Sequence, residues 1–172
     1  TMGFSALDGL MMGSRSGSLD PGVLMYLMDQ GWSSDRISKL LYKQSGLLGV
    51  SGLSADMRTL RQSDSPAAAF AIDLFIHRIR RESGALVAVM GGVDAIAFTG
   101  GIGEHDAELR ARVCRDLAFL GVELDAQANA AATGGGRVSV HAAGSPVEVW
   151  VLPTDEGRVA AESAIAHLGV VA

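Results

Sequence analysis

At 172 residues, with 14 Lys and Arg against 19 Asp and Glu, the chain carries a net charge of -5, which excludes a broad nucleic-acid surface. Hydrophobic residues at 48%, charged residues at 19% and a mean hydropathy of +0.27 describe a chain that buries a core, so wholesale disorder is excluded. The longest apolar stretch, Ala85 to Phe98, is broken by Gly91, Gly92 and Asp94 and falls short of the roughly 20 residues of a bilayer-spanning helix, so no membrane partner is expected.

The length suits one ordinary domain over residues 1–172, and no linker long enough to divide it is visible. Cys114 is the one cysteine and has no internal disulfide partner. No basic segment leads into an apolar core among the first residues, and the expected location is cytoplasmic. All basic residues except Lys39 and Lys43 are arginines, which suit bidentate anion recognition but equally follow from codon bias.

In chain order, the first fifty residues read as short helices between glycine loops. They are Leu7 to Met12, Pro21 to Met28 behind an Asp20 cap with proline at the first helical position, and Asp35 to Lys43 after Ser33 and Ser34. Ser45 to Leu53, with Gly46, Gly49 and Gly52, reads as a loop, and a short helix begins in Ser54–Arg58 with Ser54 as its cap. From Pro66 to Met90 the residues Ile72, Phe75, Ile76, Ile79, Leu86 and Met90 recur at helical steps opposite Asp73, His77, Arg80 and Arg81, which predicts a long amphipathic helix. Val93 to Phe98, bounded by glycine pairs, predicts a short buried strand, and Glu104 to Leu120 a following helix. Asp125 to Ala132 is a weaker helix, and Arg137 to His141 with Val147 to Leu152 predict a hairpin. Thr154 and Asp155 cap a last helix, Glu156 to Leu168. Three strands against five or six helices make too small a sheet for a complete α/β layer, so further strands are expected to come from elsewhere.

Four places carry potential chemistry. Phe98-Thr-Gly-Gly-Ile-Gly-Glu104 runs from a strand through glycines into a helix, where backbone N–H groups can approach a phosphate or a base. It lacks the third glycine of the dinucleotide fingerprint, and the chain lacks the phosphate loop ending in Gly-Lys-Ser/Thr. Arg15, within Met11-Met-Gly-Ser-Arg-Ser-Gly17, is either a fixed guanidinium for a phosphoryl group or a solvent-facing loop residue. The carboxylates of Leu152-Pro-Thr-Asp-Glu156 either stabilise a helix N-terminus or hold magnesium at a strand end. Asp56-Met-Arg58 pairs an acid and a base, most simply as surface charge. The four histidines show no metal-ligand spacing, and only His105 lies near a candidate site. Cys114 reads as a small core residue rather than a reactive thiol.

Taken in order, Met2-Gly-Phe4, Leu10-Met-Met-Gly-Ser-Arg-Ser-Gly17, Leu19-Asp-Pro21, Ser45-Gly-Leu-Leu-Gly49, Ser51-Gly52 with Asp56-Met-Arg58, Phe98-Thr-x-Gly-Ile-Gly-Glu104 and Pro153-Thr-x-Glu156 resemble the C-terminal portion of the acetate kinase (acetokinase) family, from Thr1 to about Ala166. The resemblance implies an α/β, ribonuclease-H-like domain of the actin, sugar-kinase and heat-shock-ATPase type. That domain would be incomplete, its first strands and the family's N-terminal domain preceding Thr1. It implies magnesium-dependent transfer of the ATP γ-phosphoryl group to the carboxylate of acetate, reversible through acetyl phosphate, in a homodimer. Arg15 matches the arginine that stabilises the transferring phosphoryl group. Asp56, Met57 and Arg58 match the segment beside the adenosine, and Gly100, Gly101, Ile102, Gly103 and Glu104 the adenine and ribose loop. Glu156 matches the carboxylate acting on Mg2+. Half of an active site would then lie in this chain, which alone is not expected to be catalytically competent.

Five positions depart from the family's pattern: Ala6 stands for proline, Ser18 for aspartate, Gly100 for alanine, and His105 and Asp155 for asparagine. Ala6 bears on the acyl pocket, where a smaller wall residue can admit propionate. A propionate or butyrate kinase and a non-catalytic nucleotide-binding or dimerising remnant are the alternatives.

Overall fold

The computed structural model describes residues 3–168, which fall into two compact units, residues 3–92 and residues 93–168. The first unit is helical. Helix α1, Pro21–Asp29, starts where Asp20 Oδ1 accepts the Gly22 N–H at 2.8 Å, and α2, Ser34–Lys43, starts where Ser33 Oγ accepts the Arg36 N–H at 3.3 Å. Both starts follow the expected capping chemistry.

Three expectations fail in this unit. Leu7 to Met12 is irregular, because its backbone closes locally: Ser18 N–H donates to Gly9 O at 2.9 Å and Met12 N–H to Arg15 O at 3.1 Å. Ser45 to Leu53 is not a loop but contains α3, Gly46–Ser51, whose Leu47 is fully buried where α3 packs on α5, Pro66–Met90. Its glycines serve close approach rather than flexibility: a Cβ on Gly46 would run into the Met12 carbonyl, and one on Gly49 would stand 2.6 Å from Gln44 O. The cap of α4, Met57–Arg61, is Asp56 rather than Ser54, whose hydroxyl instead accepts the Asp56 N–H at 3.0 Å.

Helix α5 starts from Ser65 and stops at Gly91, whose φ of +78° ends it in a left-handed turn. Its first half buries Ala68, Ala71, Ile72, Phe75 and Ile76, whereas Leu86, Val89 and Met90 stay exposed, so only part of the predicted apolar stripe is core.

The second unit holds a three-stranded sheet in the order β1-β3-β2. Strand β1, Ala95–Phe98, pairs in parallel with β3, Glu148–Val151, with Ala95 opposite Glu148 and Phe98 opposite Val151. Strand β2, Val138–Ser139, pairs antiparallel with β3, which is the predicted hairpin in shorter form. Phe98, Val149 and Val151 are buried on one face, while Ala95, Ala97 and Glu148 on the other are exposed. The Val93 to Phe98 run is therefore half-exposed rather than the buried strand expected, since among the described residues β3 is its one ladder neighbour.

The single helix expected over Glu104 to Leu120 breaks at Asp106. It becomes α6, Gly100–His105, and α7, Ala107–Asp116, with a 3-10 turn at Ala118–Leu120. Asp106 Oδ1 accepts the Leu109 N–H at 2.9 Å and so caps α7. Helix α8, Ala126–Ala131, and helix α9, Glu156–Leu168, follow.

Cys114 on α7 is buried, as are Leu109, Val113 and Leu117, and burial pushes its thiol up to about 11. A thiol-exchange reagent at mildly alkaline pH should leave Cys114 unmodified in the folded chain and modify it fully in denaturant. Rapid modification without denaturant would contradict the core role.

Candidate active site

In the first unit, Arg15 sits half-buried on a loop whose backbone is bonded to the α2–α3 corner. Ser16 N–H donates to Leu41 O at 3.0 Å, Ser45 N–H to Ser14 O at 3.0 Å, Leu47 N–H to Met12 O at 3.0 Å and Leu48 N–H to Gly13 O at 2.9 Å. Gly17, at φ +68°, turns the chain where a Cβ would stand 2.5 Å from Met11 N. Four long-range backbone bonds thus fix the Cα of Arg15, while its guanidinium reaches only Met12 Sδ, at 3.7 Å, and no carboxylate among the described residues. A pre-positioned cation with open donors is the group that phosphoryl transfer uses.

The Asp56 to Arg58 segment lies beside this loop, since a Cβ on Gly13 would stand 2.7 Å from Ala55 O. Its residues divide by task. Met57 is core, and Asp56 Oδ1 accepts the Arg58 N–H at 2.8 Å. Arg58 Nε and Nη2 donate to Asp56 Oδ1 and Oδ2 at 3.2 and 2.7 Å. These hydrogen bonds from Arg58 hold the Asp56 carboxyl down at about 2. The pair favours the folded state above the usual carboxylate range, and that contribution goes as the pH falls through the depressed value. With Arg58's side chain 86% exposed, the effect on stability is slight.

In the second unit, the glycine turn itself forms the first turn of α6, so the helix opens at Gly100 and not at Glu104 as expected. Gly100 takes a φ of +70°, and a Cβ on it or on Gly101 would meet no heavy atom within 4 Å, which leaves open space over the turn. Glu104 is buried, and its Oε1 accepts both the Gly100 N–H at 2.9 Å and the Thr154 N–H at 3.0 Å. Thr154 Oγ1 adds a further acceptor for the Gly100 N–H at 3.1 Å. One carboxylate oxygen thereby ties the end of β1 to the segment leading from β3 into α9. The Gly100 N–H, spent internally, is not a free donor for a phosphate.

Glu156 is the first residue of α9, and its side chain lies outside the described residues. Asp155 Oδ1 accepts the Arg158 N–H at 3.0 Å, the helix-capping role. Among the described residues no group of three or more His, Cys, Asp or Glu gathers into a metal cage. Mg2+ bound mostly by waters and phosphate oxygens needs only one or two carboxylates, and Asp155 and Glu156 at this strand-to-helix turn are of that donor type.

Sequence reasoning missed Arg110, a wholly buried guanidinium on α7. Its Nη1 donates to Gly103 O at 2.8 Å and Glu104 O at 2.9 Å, its Nη2 to Asn129 O at 2.8 Å and Ala132 O at 2.7 Å, and its Nε to Asn129 Oδ1 at 2.7 Å. Burial lowers its affinity for the proton. The signal was present: Arg110, Val113 and Cys114 share one helical face by three- and four-residue steps.

The acetokinase family profile matches residues 1–162. The chain is 59% identical over 157 residues to the acetate kinase of Rhodopseudomonas palustris, a match covering 91% of this chain and 39% of that protein. Two crystal structures share its fold. The acetate kinase of Porphyromonas gingivalis has a TM-score of 0.84 and 40% identity, over 94% of this chain and 41% of that one. A propionate kinase of Francisella tularensis has a TM-score of 0.77 and 38% identity, over 87% and 38%. The chain belongs to the acetokinase family and spans about two-fifths of the length of these relatives.

Proposed function

We propose that the chain is the C-terminal, nucleotide-side portion of an acetate kinase, which transfers the ATP γ-phosphoryl group to acetate and returns it from acetyl phosphate to ADP. An acetate oxygen attacks the γ-phosphorus in line as the bond to the ADP oxygen breaks, with no nucleophile from this chain. Arg15 balances charge on the equatorial oxygens. The open Gly100–Glu104 turn receives adenine and ribose, and Asp56 to Arg58 flank the adenosine. Glu156 would hold Mg2+, which would supply charge neutralisation on the phosphate oxygens. The observation that carries this reading is Arg15 itself, a guanidinium without a carboxylate partner among the described residues, on a loop locked by backbone bonds.

Propionate is the second acyl acceptor to consider, because Ala6 stands where the family has proline and because a propionate kinase shares the fold. The complete kinase should show the higher kcat/KM on acetate, with propionate behind by about 10- to 200-fold, the range that one methylene allows. A reversed order would make it a propionate kinase, and no turnover on either acid would end the kinase reading. A cytoplasmic homodimer completes the proposal. Among the described residues no helix is long and apolar enough to cross a membrane, and α1 leaves Val23, Met25, Tyr26 and Met28 exposed for a partner to cover.

A further inference from the structure

The first unit contains a cavity of about 400 Å³ between the Arg15 loop, α2, α3 and α5 that none of the roles above uses. Its size falls in the range of small-molecule sites. Met11, Leu40, Val50 and Leu74 give it apolar walls, and Gln44 and Arg78 give it its strongest polar groups. The wall hydroxyls already donate elsewhere: Ser45 Oγ to Leu40 O at 2.8 Å, Ser16 Oγ to Gly17 O at 3.0 Å and Ser18 Oγ to Asp8 Oδ1 at 2.6 Å.

Arg78 differs. Its Nη2 donates to Ser18 O at 2.6 Å, while its Nε is buried and finds no acceptor among the described residues. Among the described residues no carboxylate pairs with it either. Asp8, linked to this network through Ser18, is engaged by the Ser18 hydroxyl and the Gly9 N–H. A guanidinium with an orphaned buried donor on the wall of an amphipathic cavity presents the fork geometry that matches an oxyanion.

We propose that this cavity binds a small oxyanion-bearing molecule with a short apolar body, its carboxylate or phosphate on Arg78 with help from the Gln44 amide, and its body against Met11, Leu40, Val50 and Leu74. The site is separate from the Arg15 guanidinium but borders the same loop through Met11 and Ser16, so an occupant braces the segment that carries Arg15. That last consequence rests on the role proposed for Arg15; the binding does not.

The test is a titration of the isotopically labelled full chain with butyrate and, separately, with inorganic phosphate, read by amide and arginine Nε–Hε shifts. Saturable shifts should centre on Gln44, Ser45, Gly46 and the Arg78 side chain, and the tighter of the two probes identifies whether carboxylate or phosphate is the natural anion. Arg78→Gln should weaken binding by about tenfold or more. Leu74→Phe, which fills the void without touching the charge, should weaken it as well. Arg15→Ala should leave it unchanged, which separates this site from the proposed phosphoryl site. Should Arg78→Gln lose the dispersed spectrum of a folded chain, Leu74→Phe decides. Wild-type affinity in Leu74→Phe, loss of binding in Arg15→Ala, or the absence of saturable binding with both probes would each overturn the proposal.

Discussion

Arg15→Ala in the complete kinase is expected to lower turnover by about 10³-fold or more while ATP still binds, a loss of ~4 kcal/mol or more of transition-state stabilisation. The separation of the two effects follows from the loop. Its shape comes from backbone bonds of Met12, Gly13, Ser14 and Ser16 to the α2–α3 corner, so truncating the side chain removes the charge and leaves its platform standing. Lysine at this position restores charge but not the planar fork, and should recover only part of the rate. Steady-state turnover with calorimetric ATP binding reads both numbers, and near-normal turnover would remove Arg15 from the chemistry.

The largest stability effect is expected at Arg110. Replacing it by leucine leaves the carbonyls of Gly103, Glu104, Asn129 and Ala132 and the Asn129 amide oxygen without their donor, in a place no water now reaches. Buried groups stranded in this way cost about 1–3 kcal/mol each, and partial relaxation brings the expected total to ~3–5 kcal/mol. Urea unfolding measures that loss. Hydrogen exchange should show it first at Gly101 to Glu104, because Arg110 holds the C-terminal half of that turn. Arg110→Lys should rescue little, since one ammonium has three donors for the five acceptors. A variant as stable as wild type would mean that the guanidinium is incidental to the fold.

Local chemistry was legible in the sequence where a single residue decides it. Asp20 with Pro21, and Ser33, announced helix starts that the structure places within a residue or two. The long helix over Pro66–Met90 was legible from its period and the hairpin from its glycine-bounded apolar runs, whereas the parallel pairing of β1 with β3, strands some fifty residues apart, was not. Errors came where contacts distant in sequence overrode local preference. Gly46 and Gly49 look like loop residues, yet they are glycine because the Met12 to Arg15 backbone and Gln44 crowd a helix. Ser54 is as good a cap as Asp56 on paper, and the chain uses its hydroxyl on the Asp56 N–H instead. The site loops were legible as glycine clusters beside charges. What could not be read was the internal use of their polar groups, because Glu104 to Thr154 spans fifty residues and Arg110 gathers carbonyls from Gly103 to Ala132.

The shared oxygen of Glu104 constrains how this unit can change. With Gly100 and Thr154 anchored to the same atom, the turn after β1 and the approach to α9 shift as one piece. A variant that widened the first would drag the start of α9 out of register. On the function proposed above, selectivity for the base and placement of the metal-side carboxylate would be inherited together, and a lineage that retunes one would have to rebuild the other.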